Sequence, residues 1–208
     1  KENSTFSMYL IGLMYLKGKG VGKNISKGVF YIQKSADLGY ENAIIHLSSL
    51  LLSGKEVQIN KKMAEKYLEM GVEREYSISM FYYGILLLIG NEIQQNKSKA
   101  EFLIKKSSEK GNDASSFFYG MMLYSGYEQI IKNRAKSAFY FQKSSEKGNC
   151  LSMYKIALML LKGDGVKQNK TKAAFYFKKS AEMGFHLSMF HYGKMLVNGI
   201  GVQKNKSE

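Results

Sequence analysis

The sequence contains no proline, no tryptophan and one cysteine, Cys150. Because proline breaks helix interiors, a chain without it is free to form many helices, and its 20 glycines are left to mark their ends. A single cysteine excludes an internal disulfide framework and a multi-cysteine metal site. No apolar run approaches the roughly 18–20 residues of a membrane span, so we expect no transmembrane segment in this chain. The polar residues 1–6 do not resemble a signal peptide.

The chain is strongly basic, with 31 lysines and arginines, 17 acidic residues and a formal net charge of +14 at pH 7. Two interpretations stay open. The lysines form an ordinary solvated surface, or they complement an acidic partner such as nucleic acid, an anionic membrane surface or an acidic protein. Abundant Lys, Asn, Ile and Tyr without Pro or Trp is also typical of an AT-rich genome, which accounts for part of the charge.

One pattern repeats about every 36 residues along the whole chain. It reads SMYLIGLMYLKGKGVGKNISKGVFYIQKSADLG from residue 7 and returns from residues 79 and 152. A small residue opens each copy, at Ser7, Ala43, Ser79, Ser115, Ser152 and Ser188. The repeats are predicted at about 5–41, 42–76, 77–112, 113–149, 150–185 and, as a partial copy, 186–208. Such a period indicates a helical solenoid. Because the last copy stops where its second helix should begin, we expect a segment of a longer protein.

Each repeat is predicted to form two helices, the first over about 5–17 and the second over about 27–38 in the first copy. A glycine column stops the first helix, and an asparagine column, or the Ser or Thr two residues later, caps the second. Glycine inside a helix costs about 1 kcal/mol, so a column of small residues predicts close helix contact at Gly12, Ser48, Gly84, Gly120, Ala157 and Gly193. The apolar face of the second helix is predicted as Phe30, Tyr31, Phe102, Phe139, Tyr140, Phe175 and Tyr176.

The second repeat departs most from the pattern. Glu75 stands where the other copies end their second helix with glycine, and Gly71 falls inside that helix. We therefore expect a frayed or shifted helix end there.

These columns resemble the Sel-1-like repeat family, a relative of the tetratricopeptide repeat. The family pattern is roughly A-x-x-x-L-G-x-x-Y-x-x-G-x-G-V-x-x-D-x-x-K-A-x-x-W/Y-Y-x-K-A-A-x-x-G, and it is matched in order by Ser7, Ile11, Gly12, Tyr15, Gly18, Gly20, Val21, Lys27, Tyr31, Lys34, Ala36 and Gly39. The resemblance implies an all-α right-handed superhelix of antiparallel helix pairs that serves as an adaptor or scaffold. Asn replaces the usual Asp, and Phe or Leu the usual Trp. The family leaves the compartment open: the endoplasmic reticulum lumen as part of a degradation adaptor, the eukaryotic cytoplasm, or export or the periplasm in bacteria.

No arrangement of residues predicts catalysis, a metal site or a cofactor. The three histidines, His46, His186 and His191, match no ligand or triad pattern. The glycine-rich loops at residues 18–22 and 163–166 follow a helix rather than a strand and lack the GK[ST] ending of a phosphate loop. Cys150 opens a helix, but it has no paired histidine or second cysteine, so we expect an inert thiol. We predict that the chain is not an enzyme.

One stripe of the first helices, which we call the first-helix stripe, holds variable residues at the columns of residues 6, 10, 13 and 17. In repeats of this type the stripe is expected to line the concave face, and a concave groove binds helices or extended peptides. The alternative is that these residues pack between neighbouring helices. The predicted partner-binding residues are Leu10, His46, Tyr82, Ile85, Phe118, Met121, Lys155 and His191.

Lysines of the inter-helix loops recur in register, and stacking would line them up as a basic ridge: Lys23, Lys61, Lys97, Lys132, Arg134, Lys167, Lys170 and Lys204. The ridge is an alternative site, for phosphates of nucleic acid or anionic membrane surfaces. No aromatic residues interleave with these lysines as a base-stacking platform requires, so a solvated edge is the simpler interpretation. N-x-S/T sequons begin at Asn3, Asn24, Asn96, Asn169 and Asn205, and helix capping explains most of them. In an endoplasmic reticulum lumen, glycans at these sites would cover the ridge.

Overall fold

The computed structural model describes residues 2–127 and 130–204, without the side chains of residues 2 and 3. Over these ranges it contains eleven α-helices and no strand. The helices are α1 Glu2–Lys17, α2 Ile25–Asp37, α3 Glu41–Ser53, α4 Lys61–Glu73, α5 Ser77–Ile89, α6 Lys97–Glu109, α7 Asp113–Ser125, α8 Arg134–Glu146, α9 Cys150–Lys162, α10 Lys170–Glu182 and α11 His186–Asn198. The predicted all-α class and the two helices per repeat are confirmed.

The asparagine column caps the second helices as predicted. The Asn24 side-chain oxygen accepts a bond from the Lys27 amide at 2.9 Å, and Asn169 accepts one from Lys172 at 2.8 Å. The same bond forms at Asn60, Asn96 and Asn133. It satisfies one of the four amides that a helix start leaves without a partner. Asn205 lies outside the described residues.

The chain folds as two compact units, Lys1–Ser107 and Ser108–Glu208. In the first unit, α1 packs on α2, α2 on α3, α3 on α4 and α4 on α5. Its core includes Ile32, Ile44, Leu68, Met80 and Ile104, all fully buried. Each helix thus packs on the next, which is the packing expected of a repeat array.

The second unit packs α7 on α8, α8 on α9, α9 on α10 and α10 on α11. Buried serine pairs tie successive helices together. The Ser152 hydroxyl donates to the Ser144 hydroxyl at 2.7 Å, and Ser144 donates to the Asp113 carbonyl at 2.8 Å. Ser188 and Ser180 form the same pair at 2.7 Å. The small residue that opens these repeats is therefore a hydrogen-bonding core residue.

The small column within the first helices provides close helix contact, as predicted. A Cβ atom on Gly12 would lie 2.6 Å from Ile32 Cγ1 and 2.9 Å from the Gly28 carbonyl oxygen. On Gly120 it would lie 2.9 Å from the Phe141 ring. Gly193 is the exception, because a Cβ atom there meets nothing within 4 Å.

The predicted fraying in the second repeat is wrong. Helix α4 has 13 residues, as its counterparts do, and ends at Glu73. Glu75 adopts a left-handed φ of 58°, the backbone conformation that glycine supplies in the other copies. Gly71 is buried, and a Cβ atom there would lie 2.6 Å from Ser79 Cβ. The helix end therefore stays in register with the other copies, at the expense of backbone strain at Glu75.

The predicted apolar face of the second helices is wrong for its phenylalanines. Phe30, Phe102, Phe139 and Phe175 are exposed by 51%, 60%, 63% and 51%. The buried column lies two positions further on, at Ile32, Leu68, Ile104, Phe141 and Phe177. Helical periodicity rotates residues two apart by about 200°, so the two columns face opposite sides of the helix.

Candidate protein-interaction surfaces

In the first unit, the residues of the first-helix stripe are exposed or half-buried rather than part of the core. Leu10 on α1 is 41% exposed, and His46 on α3 is half-buried. Tyr82 and Ile85 on α5 are also half-buried. By contrast, the neighbouring core position on α5, Tyr83, is fully buried.

Helix α5 is unusual because none of its 13 residues is charged. Its stripe places Ile78, Tyr82, Ile85 and Ile89 at i, i+4, i+7 and i+11. Ile78 is 44% exposed and Ile89 is 52% exposed. The face of α5 that looks away from the core is therefore apolar along its full length.

A small cavity opens between α3 and α5 beside this stripe. It has a volume of about 130 Å³ and is lined by Ser49, Leu52, Ser53, Tyr82, Leu86 and Glu92. Helix α3 contributes the serine hydroxyls, and α5 contributes an aromatic and an aliphatic wall. The cavity has room for one side chain of a partner, and Glu92 adds a carboxylate to its lining.

In the second unit the stripe is more varied. Phe118 and Met121 on α7 are half-buried, as is Lys155 on α9. The Lys155 ammonium lies 5.9 Å from the Tyr124 ring centroid. His191 on α11 stacks on Phe177, with ring centroids 5.0 Å apart and planes at 9°. The stripe of this unit is thus partly engaged in packing within the chain.

Two stripe residues, His46 and His191, are neutral packing residues. The His46 ring packs edge-on against Tyr9 at 5.9 Å. Burial lowers the pKa of His46; Lys17 lowers it further, and the Glu56 carboxylate opposes both. Burial also lowers the pKa of His191, with Lys194 and Lys162 acting in the same direction. Desolvation disfavours the charged imidazolium, so both rings are held neutral.

These histidines predict a loss of stability in acid. The unfolded chain protonates its histidines near their usual pKa of about 6.5, whereas the folded chain protonates these two only at lower pH. The free energy of unfolding should therefore fall as the pH drops below about 6.5 and level off below the folded pKa. In urea titrations from pH 7.5 to pH 5, the combined change His46→Gln and His191→Gln should flatten this slope. His186→Gln, which alters an exposed histidine of α11, is the matched control for the substitution itself.

The predicted basic ridge holds both solvated and engaged residues. Lys23, Lys61, Lys132, Lys167, Lys170 and Lys204 are exposed, and Lys97 is half-buried. Arg134 is different: its Nη1 lies 2.7 Å from Asp164 Oδ2, and its guanidinium lies 3.5 Å from the Tyr124 ring centroid. Arg134 is therefore occupied as a cross-link between α7, α8 and the loop before α10.

A polar cluster of the first unit was not predicted. The Tyr83 hydroxyl donates to Glu65 at 2.7 Å, and the Lys99 ammonium lies 3.0 Å from Glu69 and 4.8 Å from the Tyr83 ring centroid. Burial, aided by Glu65 and Glu69, raises the pKa of Tyr83 above its usual range. A protonated, fully partnered tyrosine is a structural link rather than a nucleophile. Its only sequence signal is the i, i+4 pair of glutamates on α4.

Among the described residues, no cluster of three or more His, Cys, Asp or Glu side chains could hold a metal ion. Cys150 is a free, half-buried thiol at the start of α9. None of the helices in the described part of the chain is long and apolar enough to cross a bilayer.

Comparison with known proteins agrees with the repeat columns. The profile of the Sel1 repeat matches residues 5–40, 42–76, 77–112, 114–149, 150–185 and 186–208. A protective antigen of uropathogenic Escherichia coli, described as displaying an SLR fold, is 27% identical, with a TM-score of 0.86 over 98% of this chain and 44% of its own. A Sel1 repeat protein from Oxalobacter formigenes is 21% identical, with a TM-score of 0.82 over 98% of this chain and 83% of its own.

The chain thus spans 44% of the length of the Escherichia coli protein. A search of curated proteins finds no match. Proteins built from this repeat are generally interaction scaffolds without enzymatic activity. The six matched segments cover nearly every residue, and the chain belongs to the Sel1 repeat family.

Proposed function

We propose that this chain is a non-catalytic adaptor that binds an amphipathic peptide or protein segment on the first-helix stripe, with α5 of the first unit as the main anchor. Its family supports the general role, since Sel1 repeats typically bind proteins. The face of α5 carries the specific part of the proposal. An uncharged helix that leaves Ile78 and Ile89 about half exposed is a typical interaction surface.

The geometry favours a partner with few, large apolar side chains. Tyr82 supplies a rigid aromatic surface beside the cavity, which admits one inserted side chain. Ser49 and Ser53 border the same cavity and can hydrogen-bond a partner backbone. An amphipathic helix that presents apolar residues at i, i+4 and i+7 would match the spacing of the α5 stripe.

A peptide library tests this proposal directly. Phage-displayed peptides are selected on the immobilised chain, and enriched peptides are titrated by fluorescence polarisation. We expect apolar residues at helical spacing, and the change Tyr82→Ser with Ile89→Ser should weaken binding at least about tenfold, because central anchors carry most of the binding energy.

Two further variants separate binding from folding. Ile78→Ser with Ile89→Ser changes only exposed positions, so the thermal melt should not move while peptide binding falls. Phe102→Ser removes an equally exposed ring from the second-helix side of the same unit and should bind peptides normally. Peptides that bind all three variants equally well would show that the α5 face is not the site.

A further inference from the structure

We infer that the second-helix side of the second unit binds the surface of an anionic phospholipid bilayer, through Phe139 and Phe175 and the lysines around them. This surface, the phenylalanine face, is distinct from the first-helix stripe and from the loops of the basic ridge. Its defining lysines are the exposed Lys136, Lys172 and Lys179, whereas Lys143 is half-buried and donates to the Ser108 carbonyl at 2.6 Å.

The rings of Phe139 and Phe175 are exposed to solvent. Phe139 on α8 is 63% exposed and Phe175 on α10 is 51% exposed, and both helices pack on α9. They occupy the same position in successive repeats, so the two rings extend from the same face of equivalent helices. Because both rings are this exposed, they contribute little to the core, and their apolar surface is available to a partner.

The charged side chains next to these rings on α8 and α10 are lysines. The helix-surface neighbours three and four residues away include no acidic side chain: Ala135, Lys136, Gln142 and Lys143 surround Phe139, and Thr171, Lys172, Lys178 and Lys179 surround Phe175. The nearest acids along these helices, Glu146 and Glu182, lie two turns further on, and Glu182 lies 4.0 Å from Lys178. The surface that the rings present is therefore basic and complements a negative surface.

The contacts of the Phe175 ring favour lipid over nucleic acid. The Lys179 ammonium lies over the Phe175 ring, 4.7 Å from its centroid, and Tyr176 meets the same ring edge-on at 5.5 Å. Lys34 covers Phe30 of the first unit in the same way, also at 4.7 Å. A nucleobase would have to displace the lysine in order to stack on that face. A bilayer requires only that the ring tip enter the headgroup boundary while the lysine stem lies along it and the ammonium meets phosphate.

The second unit is the better candidate because the first unit interrupts the pattern. Helix α4 carries Lys66 in the phenylalanine column, with Glu65 beside it and Glu69 one turn on. The exposed Glu69 carboxylate is repelled by a negatively charged surface, whereas Glu65 is half-buried and accepts a hydrogen bond from Tyr83. Helices α8 and α10 have no such interruption at the equivalent positions.

Vesicle sedimentation with the whole chain tests this inference. Vesicles of equimolar phosphatidylcholine and phosphatidylglycerol should bind the chain at least about tenfold better than phosphatidylcholine alone, and salt should weaken binding. Phe139→Ser with Phe175→Ser should lower the partition coefficient about tenfold. Lys172→Gln and Lys179→Gln should each lower it about fivefold.

Matched controls keep the result interpretable. Ile131 is an apolar loop residue of the same unit and is 86% exposed. The Ile131→Ser variant should sediment with vesicles like the unaltered chain. The peptide-binding variant Tyr82→Ser with Ile89→Ser should also bind vesicles normally, which separates this inference from the proposed adaptor function. The circular dichroism melt of each variant is expected to match that of the unaltered chain.

Three outcomes would overturn the inference. The first is no preference for the anionic vesicles, and the second is equal loss of binding in the Ile131→Ser control. The third is binding of a single-stranded oligonucleotide through Phe139 and Phe175 without vesicle binding, which would assign the face to nucleic acid instead.

Discussion

Replacing Phe177 by alanine is expected to destabilise the second unit by about 3–5 kcal/mol. The Phe177 ring is fully buried in a core that contains Phe141, Ile156 and Met159. Its ring centroid lies 5.0 Å from that of the stacked His191 ring and 5.9 Å from that of Tyr154. Truncation would remove these contacts and leave a cavity among close-packed neighbours. Urea denaturation followed by far-ultraviolet circular dichroism measures the loss.

Phe175→Ala is the matched control, because it makes the same substitution two residues away in the same helix. Its ring is 51% exposed and touches Lys179 and Tyr176. We expect the free energy of unfolding to change by less than about 1 kcal/mol. The Phe175 ring buries little apolar area on folding, and alanine is the better helix former. Equal losses for the two variants would contradict the assignment of Phe177 to the core and Phe175 to the surface.

This pair also shows where sequence reasoning failed. Helix α10 reads FYF at residues 175–177, and helical spacing alone cannot decide which of two aromatics two positions apart faces inward. The answer depends on the packing of α9 and α11 against α10. The period, the helix pairs, the asparagine caps and the close contact at Gly12 and Gly120 were predictable because each depends on residues that recur at a fixed spacing.

The candidate site was less predictable than the fold. The stripe columns were identified from what remained after the repeating residues were removed, and the structure places Tyr82 and Ile85 at half-buried positions. The sequence could not show that His191 would stack on Phe177 or that Arg134 would pair with Asp164, because both contacts join different helices or loops. Side-chain partners of this kind follow from tertiary packing, which a single repeat does not encode.

The second large effect concerns Gly165, in the loop between α9 and α10. Gly165 has a φ of +73°, where an L-residue is strained. A Cβ atom there would also lie 2.6 Å from the Arg134 carbonyl carbon and 2.8 Å from its oxygen. Both neighbours belong to the backbone at the start of α8, so no side-chain rotation can relieve the contact. The glycine therefore serves two purposes, a turn and a close approach between repeats.

Gly165→Ala should consequently destabilise the second unit by about 2–4 kcal/mol, since positive φ alone costs about 1–2 kcal/mol and the backbone must also move. The displacement would disturb the adjacent Arg134–Asp164 pair, so Asp164→Asn in the Gly165→Ala background should cost less than it does alone. Gly193→Ala is the control: its Cβ meets nothing within 4 Å, and within helix α11 alanine should be neutral or stabilising by up to about 1 kcal/mol. A Gly165→Ala variant as stable as Gly193→Ala would show that the loop can separate from α8 at little cost, and that successive repeats are held together by their helices alone.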